Sequence, residues 1–185
     1  MVALHESLSL ISMDPLAFLT DQFNSAKCAI FCGAGISYNS GVPLMPDIKK
    51  KVLSGLPMNL KDTDELLNCK MPFELFMECL VENTANTSIM DLFALGKPNN
   101  NHTWIAELAK KGLLRIVITT NFDELIETAL NTAGVRYQLI YRENEFDSVD
   151  WESSGLKVIK IHGSIHDRLN IAVTIKKVSG RELVH

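Results

Sequence analysis

The chain has 185 residues, of which 46% are apolar and 22% charged, with 10 glycines and 6 prolines. That is the make-up of an ordinary globular domain and excludes a collagen-like or low-complexity chain. Its 18 basic and 22 acidic residues leave a net charge of −4, which argues against a dedicated nucleic-acid binder.

The N-terminus, MVALHESLSLISMD, has no basic leader and carries Glu6 and Asp14, unlike a secretory signal. Residues 14–26 then read as a helix. Asp14 can cap it, Pro15 suits its first turn, and Leu16, Leu19 and Phe23 share a face. Cys28–Cys32 is a short apolar run stopped by Gly33, the pattern of a central strand buried on both faces of a parallel sheet. A helix can start at 47–53. From 56 to 101 the pattern weakens, with Pro57, Pro72 and Pro98 between short helices at 63–68 and 73–83; this stretch reads as a helical insertion or cap. His102–Lys111 is amphipathic, gathering Ile105, Leu108 and Ala109, and Gly112 can end it. A second strand signal, LLRIVITT, covers 113–120. Phe122–Ala133 is helical, with the stripe Leu125, Ile126, Ala129 and Leu130, and Gly134 closes it. YQLIY (137–141), an acidic loop (142–155), KVIKIHG (157–163) and IAVTI (171–175) follow. Five strand-like runs, at 28–32, 114–118, 137–141, 157–161 and 171–175, alternate with helices. The alternation predicts an α/β fold with a largely parallel sheet.

No apolar run reaches the roughly 20 residues of a membrane span. The four cysteines, Cys28, Cys32, Cys69 and Cys79, contain no C-x-x-C pair, which excludes a zinc module of the two-pair type. A cytoplasmic protein with free, mostly buried thiols and no membrane or direct nucleic-acid partner is expected.

Three segments carry candidate chemistry. Gly33-Ala34-Gly35-Ile36-Ser37 follows the first strand; its glycines would let the backbone approach a phosphate, or it is an ordinary strand-to-helix turn. Tyr38 stands where the common dinucleotide fingerprint needs a third glycine, and no P-loop sequence occurs. Thr119-Thr120-Asn121-Phe122-Asp123 ends the second long strand, where ligands of open α/β sheets bind; alternatively Asn121 caps a helix and Asp123 favours its first turn. His162, before Gly163, ends KVIKI and can serve as a general base or as a structural histidine. His166 adds an H-x-x-x-H spacing without a metal-site context. All three segments follow parallel strands, so they should converge on one rim of the sheet.

The order GAGIS, then Ser40-Gly41-Val42-Pro43, then TTNFD, then a strand ending in His162-Gly163 resembles the sirtuin family across residues 28–175. The resemblance implies a Rossmann-type parallel sheet that binds NAD, and cleavage of the nicotinamide–ribose bond. It places Gly33, Ala34, Gly35, Ile36, Ser37, Pro43, Thr120 and Gly163 at the cofactor, with Asn121, Asp123 and His162 catalytic. Protein-deacylase members carry two Cys pairs and an Asp-Phe-Arg element after the G-(I/V)-P sequence. Here Pro43 leads into Leu44-Met45-Pro46. The chain therefore looks like the divergent branch that hydrolyses NAD outright, whose members act as toxic effectors in anti-phage defence. NAD as substrate, no metal, and a homo-oligomer or larger defence assembly are implied. The alternatives are an NAD-dependent deacylase or ADP-ribosyltransferase, and a non-catalytic NAD or ADP-ribose sensor. The family fold normally continues further, so residues 1–185 are expected to be one NAD-binding domain that is incomplete at its C-terminus.

Overall fold

The computed structural model describes residues 28–55, 59–84 and 87–171, together with Ala17, Thr20, Asp21 and Ser25. Apart from those positions and Ile171, the expected helix at 14–26 and strand at 171–175 lie outside the described residues.

Four apolar runs become strands: β1 (Cys28–Cys32), β2 (Leu114–Thr119), β3 (Tyr137–Ile140) and β4 (Leu156–Lys160). They pair in parallel in the order β1-β2-β4-β3. Parallel neighbours require crossovers. Between β1 and β2 the chain forms α1 (Met45–Ser54), α2 (Leu60–Asn68), α3 (Phe73–Thr84), a 3-10 segment (Thr87–Ala94) and α4 (Asn100–Lys110). A single helix, α5 (Leu125–Thr132), links β2 to β3.

The register brings the strand ends together. Cys32 pairs with Thr119, and Thr119 pairs with Lys160. The carboxyl ends of three adjacent strands are therefore level. Thr120 N donates to Cys32 O at 3.1 Å and Ile161 N to Thr119 O at 3.0 Å, carrying the alignment one residue further.

One face of the sheet, through Leu114, Val117, Leu156 and Val158, packs on Ile105 and Ala106 of α4 and on Ile126, Ala129 and Leu130 of α5. The other face carries a smaller cluster of Ile140, Val149 and Ile159. A third cluster joins Ile48, Phe76, Met77, Met90 and Phe93 to Phe122 and Ile165. It seats the crossover helices on the rim of the sheet. Each buried side chain of this size contributes about 1.5–3 kcal/mol of transfer free energy.

The structure corrects three expectations. β1 is not buried on both faces: Ala29 is exposed and Phe31 is 65% exposed. Among the described residues it is an outer strand, and its apolar residues alternate between a covered and an open side. The thiols are not mostly buried. Cys32 is buried, Cys28 half-buried, and Cys69 and Cys79 are exposed, at the end and on the outer side of short helices. Burial pushes the Cys32 thiol pKa up. The helix expected from Phe122 begins only at Leu125, because Asn121 and Asp123 are held by long-range hydrogen bonds.

Candidate functional site

The rim built by the level strand ends opens into a cavity of about 360 Å³. Ala34, Ser37, Pro43, Thr120, Asn121, Asp123 and His162, all expected from the sequence, line it. Gly33, Gly35, Ile36 and Gly163 adjoin these residues but are not on the wall. GAGIS does not start a long helix; Ala34–Ser37 forms one 3-10 turn. The opposite wall comes from the crossover helices and their loops, with Met45, Ile48, Glu74 and Phe93.

Ser37, 1% exposed, is the hub of the rim. Its Oγ donates to Asp123 Oδ2 at 3.0 Å and accepts from Asn121 Nδ2 at 3.2 Å. Asp123 Oδ1 accepts from Leu125 N at 3.1 Å, so Asp123 also starts α5. Asn121 N donates to Thr119 Oγ1 at 3.0 Å. Asn121 therefore does not cap the helix; its amide is turned toward the first strand's turn.

Further charged and polar groups sit behind this hub. Lys160, fully buried at the end of β4, donates from Nζ to Phe122 O at 3.1 Å, to Asp123 O at 2.5 Å and to Glu127 Oε1 at 2.7 Å. A single ammonium thus ties the 121–124 loop to the strand that bears His162. Burial pushes the Glu127 carboxyl pKa up, against the pull of Lys160. Glu127 Oε2 is buried without a hydrogen-bond partner. His102, also fully buried, lies with Nε2 at 3.5 Å from Ser37 Oγ and Nδ1 at 2.8 Å from Asn99 Oδ1. Burial lowers its pKa from the ordinary 6.5, while the Asp123 charge pulls the other way. Asn99 in turn caps α4 and donates from Nδ2 to Ile36 O and Tyr38 O at 2.9 and 2.8 Å.

His162 stacks on Phe122, ring centroids 6.2 Å apart at 29°, and Phe122 meets Phe93 edge-on at 5.3 Å. This holds the imidazole at the cavity wall. His166 instead contacts Glu124 on the rim's outer side, so the H-x-x-x-H pair does not act as a unit. Among the described residues no group of three or more His, Cys, Asp or Glu side chains converges as a metal site would require.

Sequence reasoning missed His102, Lys160 and Glu127. Each had a local signal. Asn99-x-x-His102 opens a helix with capping-box spacing. Glu127 interrupts the buried stripe of α5, and Lys160 sits in a strand buried along its whole length; charges in such places are almost always paired.

Parallel strands, crossover helices and a cavity at the carboxyl ends define a Rossmann-like α/β protein. Residues 115–178 match the family model of the SIR2-like domain. Relatives include an NAD-dependent protein deacylase of Desulfosudis oleivorans, 32% identical over 58% of this chain and 38% of that protein. The NAD(+) hydrolase ThsA of Cytobacillus dafuensis is 27% identical over 81% of this chain and 29% of that protein. An NAD-dependent protein deacetylase of Thermodesulfovibrio yellowstonii is 34% identical over 60% and 40% respectively. The chain thus spans 29 to 40% of the length of these curated relatives.

Proposed function

We propose that the chain takes NAD⁺ into this cavity and hydrolyses its nicotinamide–ribose bond, as the effector part of an anti-phage defence protein. The observation that carries the reading is the meeting of Ser37, Asn121, Asp123 and His162 in one cavity at three level strand ends. The likeness to the hydrolase ThsA across 81% of this chain supports it.

The chemistry suits these groups. Nicotinamide in NAD⁺ leaves as a neutral molecule, so expulsion needs no strong acid. The ribose develops oxocarbenium character, and catalysis rests on orientation and electrostatics. Asn121, fixed through Ser37, orients the attacking water or a ribose hydroxyl. His162 removes the water proton. Asp123 acts one step back: both its oxygens accept hydrogen bonds, from Ser37 and from Leu125 N, and its negative charge faces the developing cation.

The turn after β1 supports a closely approaching ligand. Gly33 has φ −116°, and a Cβ there would stand 3.7 Å from Thr120 Oγ1; at Gly35 nothing lies within 4 Å of a Cβ. The protein itself therefore does not demand glycine at either position. A pyrophosphate lying against the backbone would.

A protein deacylase is the second reading, favoured by the two relatives so named at 32 and 34% identity. The discriminating experiment is chromatography of products from NAD⁺ with and without an acylated peptide. Free ADP-ribose and nicotinamide without peptide support hydrolysis. Strict dependence on peptide, with O-acyl-ADP-ribose as product, overturns it.

A further inference from the structure

Most polar groups on the cavity wall are already engaged. Asp123, Ser37 and Asn121 hydrogen-bond to one another on the sheet side. Glu74, on the helical side, is different. It lines the cavity from the first turn of α3 and is half-buried. Its carboxylate makes no hydrogen bond or ion pair with any described residue, and its cavity neighbours include the apolar Met45, Ile48 and Phe93. A helix N-terminus favours a negative charge, which accounts for an acidic residue in that turn. It does not account for a carboxylate on the apolar wall of the cavity with no counter-ion among the described residues.

Such a wall complements a flat aromatic cation. The ring can lie against the Phe93–Phe122 pair, whose faces attract positive charge, and its charge can meet the carboxylate. We propose that Glu74 is the specificity-determining residue that selects the oxidised, N-substituted pyridinium ring of NAD⁺ over neutral rings. This rests on the hydrolase reading and deepens it. The interaction is strongest before bond cleavage, since the positive charge leaves the ring as nicotinamide departs. Glu74 therefore acts on substrate binding more than on the chemical step. Once the ring is neutral the attraction ends, which favours release.

The test is equilibrium binding by calorimetry of 1-methylnicotinamide, a cation, and nicotinamide, its neutral relative. The proteins are the wild type, Glu74→Gln and Glu74→Asp. The wild type should prefer the cation by about tenfold, the scale of one partly desolvated charge contact. Glu74→Gln should lose that preference while keeping its affinity for nicotinamide, and Glu74→Asp should retain most of it. In turnover, Glu74→Gln should raise KM for NAD⁺ about tenfold without lowering kcat, because the contact fades as the ring loses its charge. Equal binding of the two ligands by the wild type, or a preference undiminished in Glu74→Gln, overturns the proposal. The binding readout needs no turnover. A wild type that prefers the cation yet leaves NAD⁺ intact sinks the hydrolase reading alone.

Discussion

At the scale of single residues, the site depends on groups that never reach the cavity. Lys160 bonds two successive carbonyls of the 121–124 loop and one carboxylate oxygen of Glu127. Lys160→Met should cost about 3–5 kcal/mol of stability, because it leaves Glu127 buried without its cation. The double variant Lys160→Met/Glu127→Leu should recover most of that loss in urea unfolding. NAD⁺ turnover should stay low in both, since neither restores the bonds to Phe122 O and Asp123 O. Recovery of activity together with stability would contradict the positioning role. His102 gives a pH dependence. Its pKa is lowered in the folded chain below the ordinary 6.5, so the unfolded chain binds the proton more readily. Its contribution is complete above pH 6.5 and is lost as pH falls through 6.5 and the folded value. The urea midpoint should therefore fall between about pH 7.5 and 5.5, and His102→Gln should flatten that decline. An identical slope in the variant would remove His102 as its source.

At the scale of elements, strand register decides where the rim lies. With Cys32, Thr119 and Lys160 side by side, the three turns after them must share a rim. The first of these turns is the simplest to probe. A Cβ at Gly35 meets nothing within 4 Å and no positive φ, so in Gly35→Val the unfolding free energy should shift by less than about 0.5 kcal/mol, as for ordinary surface substitutions. Calorimetric binding of NAD⁺ should nevertheless vanish. Unchanged affinity would make GAGIS an ordinary turn. The strands are legible in the sequence because runs such as CAIFC and LRIVIT are apolar and stop at turn residues. The open side of β1 is not legible, since a five-residue apolar run looks alike at the centre and the edge of a sheet. The late start of α5 has a non-local cause. Phe122 and Asp123 tolerate a helix, but a serine 86 residues earlier holds Asp123 in a loop. Local signals mark His102, Lys160 and Glu127, but the contacts of Lys160 with Glu127 and of His102 with Ser37 span 33 and 65 residues and form only in the folded chain.

At the scale of the whole molecule, the cavity lies between a parallel sheet and a set of crossover helices joined by the Ile48, Phe76, Phe93 and Phe122 cluster. One wall supplies polar, oriented groups and the other supplies apolar surface with Glu74. Because orientation and charge on these side chains carry the proposed chemistry, turnover should persist in excess chelator. Loss of activity on chelation, restored by added zinc, would contradict that prediction. Direct hydrolysis of NAD⁺ by the rim side chains is tested on the products. The chain is incubated with NAD⁺ alone, and products are separated for the wild type, Asn121→Ala and His162→Ala. The wild type should release nicotinamide and ADP-ribose. Turnover should fall at least about a hundredfold in each variant, the low end for a positioned acid–base group, with unfolding midpoints near the wild-type value. Wild-type rates from His162→Ala, or no cleavage of NAD⁺ by the folded wild type, would contradict this reading.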